Sequence, residues 1–145
     1  MAPHVVLVYS DNSQVRAAIK RAITPSPSAD IAPIVIKEFA TADALRGYFD
    51  DKGGAGLLIV DGEATPEGGL GLARSLKDEI YQAPPMIGII AREADRWLAT
   101  WARVEGILFH PIEPRALAKE VAALLRKDGI EVVATSIGIP PRANH

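Results

Sequence analysis

The stretch GLLIVDG, Gly56 to Gly62, puts Leu57, Leu58, Ile59 and Val60 in a row and stops them at Asp61-Gly62. A strand with one wet face alternates apolar and polar residues. An unbroken aliphatic run is instead a strand covered on both faces, the normal condition of a parallel sheet. Four more short apolar runs bounded by turn residues are strand candidates, His4 to Ser10, Ile34 to Phe39, Met86 to Ala91 and Gly106 to His110, and three of the five are nearly continuous Val, Ile and Leu. Working outward from Gly56 to Asp61, the chain therefore predicts five short strands.

The intervening stretches have helical periodicity. Ser13 to Thr24 sets Val15, Ala18, Ile19 and Ala22 opposite Gln14, Arg16, Lys20 and Arg21, an amphipathic surface helix. Thr41 to Asp50 offers Leu45, Tyr48 and Phe49, Gly68 to Ile80 offers Leu72, Leu76 and Ile80, and Glu93 to Ala102 offers Trp97, Leu98 and Trp101 to a sheet face. Glu113 to Lys127 offers Leu117, Val121, Leu124 and Leu125, opens with Pro114 and is expected to end at Gly129. Strand and helix alternating five times, with right-handed crossovers, predict an α/β fold: a doubly wound parallel sheet with helices on both faces. Ile130 to Ile139 reads as extended, and Pro140 and Pro141 forbid a helix there. The expected division is a domain over residues 1–128 and an extended tail over 129–145.

Composition narrows the function. A length of 145 residues with 48% hydrophobic and 23% charged content suits one globular domain. A net charge of -2 with scattered Lys and Arg gives no basic patch for nucleic acid or anionic lipid. The absence of cysteine removes disulfides and thiolate chemistry, which suits a cytoplasmic location. The apolar runs fall short of the roughly 20 residues that span a bilayer. Met1 to His4 has no basic start followed by a long apolar stretch, so no signal peptide is expected.

In an open parallel sheet, ligands sit beyond the carboxyl ends of the strands, near the point where strand order reverses. Those ends are Ser10-Asp11-Asn12, Asp61-Gly62-Glu63, Ala91-Arg92 and His110-Pro111. With strand order 2-1-3-4-5, Asp11 and Asp61 converge. Two plainer roles compete: Asp61-Gly62 can simply start a turn, and Asp11 or Asn12 can cap the first helix. Gly69 and Gly71 do not complete a dinucleotide loop, because Arg74 stands at the third glycine. His4 and His145 lie too far away in the pattern to join a metal cluster.

These strand ends, over about Val5 to Lys127, resemble the receiver domain of bacterial response regulators, which is flavodoxin-like and similar in layout to the chemotaxis response regulator. Asp61 matches the family's phosphoacceptor, Asp11 its second acid, Gly69-Leu70-Gly71-Leu72 its helix start after strand three, and Pro111 the proline that usually follows a cis bond. The resemblance departs where chemistry is expected. Ser10 replaces the first acid, Ala91 the hydroxyl residue, His110 the lysine, and Ile107 the aromatic residue that swings when phosphate binds.

Phosphoryl transfer depends on positioning and charge stabilisation. Ala91 cannot donate a hydrogen bond, and a histidine is only partly charged near neutral pH. Asp11, Asp61 and the Glu63 carbonyl are left as a weak Mg²⁺ site at most. The resemblance therefore implies a degenerate pseudo-receiver of actinobacterial type, without enzymatic activity or a resident cofactor. Asp61 is expected to be a vestigial phosphoacceptor, and the chain to act by docking to a protein. The alternative is a divergent receiver that takes phosphate on Asp61 from a histidine kinase.

In the family, the fourth helix, fifth strand and fifth helix form the usual partner surface. Trp97, Trp101 and Ile107 are the contacts expected there, with packing against the sheet the plainer reading for the tryptophans. Glu131, Val133 and Ile137 in the tail are further candidates. Orphan receiver-like proteins include accessory subunits of large assemblies such as respiratory NADH dehydrogenase, which would place the chain on the cytoplasmic side of a membrane complex. A tail after Gly129 is too short for an appended DNA-binding domain, so no transcriptional output in cis is expected.

Overall fold

A computed structural model describes residues 4–136, with side chains through residue 126. The elements alternate without exception: β1 (Val5–Tyr9), α1 (Ser13–Ile23), β2 (Val35–Phe39), α2 (Ala42–Asp50), β3 (Leu57–Asp61), α3 (Gly69–Glu79), β4 (Met86–Ile90), α4 (Arg96–Ala102), β5 (Gly106–Phe109) and α5 (Pro114–Ser136). A single 3-10 turn, Glu93–Asp95, leads into α4. The strands form one sheet in the order β2-β1-β3-β4-β5, every neighbouring pair parallel.

The central strands are buried on both faces because their side chains alternate between two apolar layers. Leu58 and Val60 point into a cluster with Leu45, Leu72 and Leu76, on the side of α2, α3 and α4. Leu57 and Ile59 point the other way, against Ile19, Ile23, Leu117 and Val121 of α1 and α5. Each fully buried Leu or Ile contributes about 1.5–3 kcal/mol relative to exposure, so β3 cannot slip by one residue without exchanging its two layers.

The helix starts follow local chemistry. The Asn12 side chain accepts hydrogen bonds from the backbone of Gln14 (2.8 Å) and Val15 (3.4 Å), capping α1. Thr41 does the same for Ala44 on α2, and Glu113 caps α5 through Arg115 and Ala116. On the long β2 approach, Asp30 is gripped by the Arg126 guanidinium of α5.

Two expectations are corrected. In α4, the residues that turn to the core are Ala99 and Ala102, with Leu98 half-buried, whereas Trp97 and Trp101 face outward. A seven-residue helix buries only one stripe, and here the small alanines occupy it. The last helix does not end at Gly129 but runs helically to Ser136, so residues 130–136 are not extended. One glycine in a helix interior costs only about 1 kcal/mol relative to alanine, and the first residue that forbids continuation is Pro140. The side chains of Glu131 and Val133, and all of Ile137, lie outside the described residues.

Candidate functional site

Parallel strands deliver their carboxyl ends to one edge, so Ser10, Asp11, Asp61, Ala91 and His110 meet there. β1 lies between β2 and β3, which makes the β1/β3 boundary the point where strand order reverses. A cleft of about 330 Å³ opens over it, lined by Asp11, Asn12, Val15, Asp61, Glu63, Ala91 and His110. The expected convergence of Asp11 and Asp61 is present.

Asp61 is 3% exposed, and the buried polar side chains among the described residues are Asp61 and Ser10. A buried carboxylate is expensive unless donors surround it. Three do so here. Ser10 Oγ donates to Asp61 Oδ2 at 2.7 Å, while Oδ1 accepts from the Glu63 backbone at 2.9 Å and from His110 Nε2 at 2.8 Å. With an ionised carboxylate as its partner, His110 carries a proton on Nε2. Ser10 Oγ also accepts from the Asn12 backbone at 3.1 Å. The His110–Pro111 bond is cis.

Asp11 is exposed and turned toward the loop between β3 and α3. Its two oxygens accept from the Thr65 backbone (3.2 Å) and the Thr65 hydroxyl (3.1 Å). Because Asn12 caps α1, Asp11 is free for this contact. Ala91 presents a methyl group to the cleft, and the neighbouring Arg92 is paired with Asp95.

The magnesium ion implied by the receiver resemblance does not fit this donor set as it stands. Ser10 is a hydroxyl donor where an acid would be a ligand, and the oxygens of Asp11 and Asp61 already accept protein hydrogen bonds. Among the described residues, no group of three or more His, Asp or Glu side chains is arranged to hold a metal ion.

Sequence reasoning missed how the β3–α3 loop is held. The Tyr9 hydroxyl donates to the Glu67 carbonyl at 2.6 Å. Burial, and then the Glu67 carboxylate, raise the Tyr9 pKa above that of an ordinary tyrosine. Arg46 grips Glu67 with two bonds, at 2.9 and 2.8 Å. The hydrogen bond from Arg46 is the main cause holding the Glu67 carboxyl below its ordinary range. The only sequence signal was Thr65-Pro66-Glu67 following a strand end, and that pattern does not name its partners.

On the neighbouring face, Trp97 is 68% and Trp101 45% exposed. The Arg74 guanidinium of α3 lies 5.2 Å from the Trp101 ring centre and donates to the Trp101 carbonyl. Arg96 lies over Phe109. Ile107 is half-buried and packs against the core on this side.

No family model matches the chain. Two response regulatory proteins from two strains of Mycobacterium tuberculosis are 42% identical to it over 121 residues, covering 83% of this chain and 90% of each relative. Among solved structures, a signal receiver domain from Vibrio parahaemolyticus superposes with TM-score 0.73 at 19% identity, over 92% of this chain and 98% of that one. A receiver domain protein from Methanospirillum hungatei gives TM-score 0.72 at 15% identity, over 90% and 99%. The chemotaxis response regulator CheY4 of Vibrio cholerae gives 0.70 at 16%, over 85% and 99%. These likenesses lend no support to a respiratory NADH dehydrogenase partner. With the relatives' identity and coverage added to the sheet order and the acid at the end of β3, the chain belongs to the response-regulator family and has the fold of its receiver domains.

Proposed function

We propose that this receiver domain acts by docking to a protein partner in the cytoplasm, and not through phosphorylation of Asp61. Receiver domains are in general signalling modules that interact with kinases and other proteins. What carries the docking reading here is the pair of exposed tryptophans on α4, with Trp97 at 68% exposure. Neither indole contributes to the core beneath it, which Ala99 and Ala102 complete. Large aromatic surface left in water on a rigid helix is the composition of a binding hot spot. Arg74 and Arg96, held against Trp101 and Phe109, supply the charged rim. Ile107 backs this surface from β5, and Glu131, Val133 and Ile137 extend the set of contacts on sequence grounds.

The cleft supports the other half of the reading. Ala91 offers no hydroxyl to a phosphoryl oxygen, and His110 is committed to Asp61. The test is affinity purification of the tagged chain from its own cells, beside the Trp97→Ala/Trp101→Ala double variant. A stoichiometric partner that the double variant loses while keeping its melting temperature supports docking. A chain that is always recovered alone, or a partner held equally by both forms, refutes it.

One observation favours a second reading, in which Asp61 accepts phosphate from a histidine kinase. Asp61 and Asp11 line the same open cleft. Incubation with a small phosphodonor and Mg²⁺, followed by intact mass measurement, separates the two. One added phosphoryl group on the natural chain, absent from Asp61→Asn, establishes the second reading.

A further inference from the structure

We propose that the acid pair of this chain is a hydrogen-bond junction that fastens three loops without a metal, in place of a magnesium site. Asp61 closes β3 and takes donors from the end of β1 (Ser10), from its own loop (Glu63) and from the end of β5 (His110). Asp11, next to Ser10, takes both donors of Thr65 and so ties the β1–α1 loop to the β3–α3 loop a second time. All four carboxylate oxygens of the pair therefore accept a hydrogen bond from the protein itself.

A magnesium ion requires oxygens at about 2.0–2.1 Å in near-octahedral arrangement. A cation drawn to Asp61 would compete with the Ser10 and His110 donors for the same negative charge, and a Ser10 hydroxyl displaced from it has nowhere to go. Ser10 is 0% exposed, so its hydroxyl, once stripped of Asp61, meets no solvent. A buried donor left without its acceptor costs more than the bond itself was worth. Ser10 is the decisive substitution: a third carboxylate there would repel its neighbours and call for a cation, whereas a hydroxyl donates to Asp61 and removes one negative charge. The loops are thus joined by the chain's own side chains, whether or not a divalent ion is present. Nothing in this junction depends on whether α4 docks a partner.

The experiment is thermal unfolding of the full chain in EDTA and in about 10 mM MgCl₂ at matched ionic strength, a concentration at which even a millimolar site would register. The natural chain is expected to melt at the same temperature in both, within about 1 °C. Ser10→Ala, which removes one donor to Asp61 and the acceptor of the Asn12 amide, is expected to melt about 3–8 °C lower with no response to magnesium. Ser10→Asp is expected to melt lower in EDTA and to regain about 3 °C or more with magnesium. A magnesium-specific rise in the natural chain overturns the proposal, and so does a Ser10→Ala chain as stable as the natural one. A folded Ser10→Asp chain that ignores magnesium overturns the role given to Ser10.

Discussion

Two glycines two residues apart on α3 should respond in opposite directions to the same substitution. A Cβ placed on Gly69 would lie 2.4 Å from the Asp61 carbonyl oxygen, 2.7 Å from its carbon and 3.0 Å from Val60 Cβ. Carbon atoms in contact prefer about 3.5–4.0 Å, so the start of α3 must move away from β3, and the strand end it presses on carries Asp61. Such overpacking typically costs about 1–3 kcal/mol. A Cβ on Gly71 meets nothing within 4 Å, so Gly71→Ala keeps the helix-propensity gain of up to about 1 kcal/mol. The two variants should therefore differ by about 1–4 kcal/mol, with the natural chain between them. The assay is equilibrium urea unfolding followed by far-UV circular dichroism, with m unchanged as the check that only stability moved. Gly69→Ala as stable as Gly71→Ala would refute the claim that α3 is seated directly on the carbonyl end of β3.

Three further outcomes follow from the same geometry. Ile59→Ala, at a fully buried position of β3, should lose about 2–5 kcal/mol in urea unfolding, while Trp97→Ala should stay within about 0.5 kcal/mol of the natural chain. Arg46→Ala should raise the Glu67 carboxyl back toward its ordinary range, read by NMR titration. Because that carboxyl is lowered in the fold, its contribution is complete above the unfolded value of about 4.3 and is lost as pH falls through the folded value. At a surface pair of this kind the contribution is at most about 1 kcal/mol. Combining Ser10→Asp, Ala91→Thr and His110→Lys should yield a chain that gains one phosphoryl group from a small phosphodonor by intact mass, where the natural chain gains none.

The five strands, their helices and the placement of Asp11, Asp61, Ala91 and His110 at one edge were legible because they depend on local periodicity and on general rules of parallel sheets. Leu57 to Val60, four aliphatic residues closed by Asp61-Gly62, read as a strand covered on both sides, and β3 is that strand. The outward face of α4 was not legible: Trp97, Leu98 and Trp101 look like a core stripe until the packing beneath the helix is known, and there Ala99 and Ala102 are the buried residues. The helical stretch past Gly129 was not legible, because Gly129 looks like a stop signal although one glycine costs a helix only about 1 kcal/mol.

For the site, the sequence by itself determined which groups are present and which are missing: acids at the end of β3 and at Asp11, a hydroxyl where the first acid would stand, a methyl for a hydroxyl, an imidazole for a lysine. Residue identity fixes that inventory before any folding occurs. Only the tertiary structure decided what those groups do to one another. The Glu63 amide reaches Asp61 through a local turn two residues on, but Ser10 and His110 come from separate stretches of chain, and their convergence on the two oxygens of Asp61 depends on distances across the sheet that no local pattern encodes. The same packing turns Asp11 to Thr65 and the tryptophans to solvent, because which face of an element is free is set by what the rest of the fold has already covered.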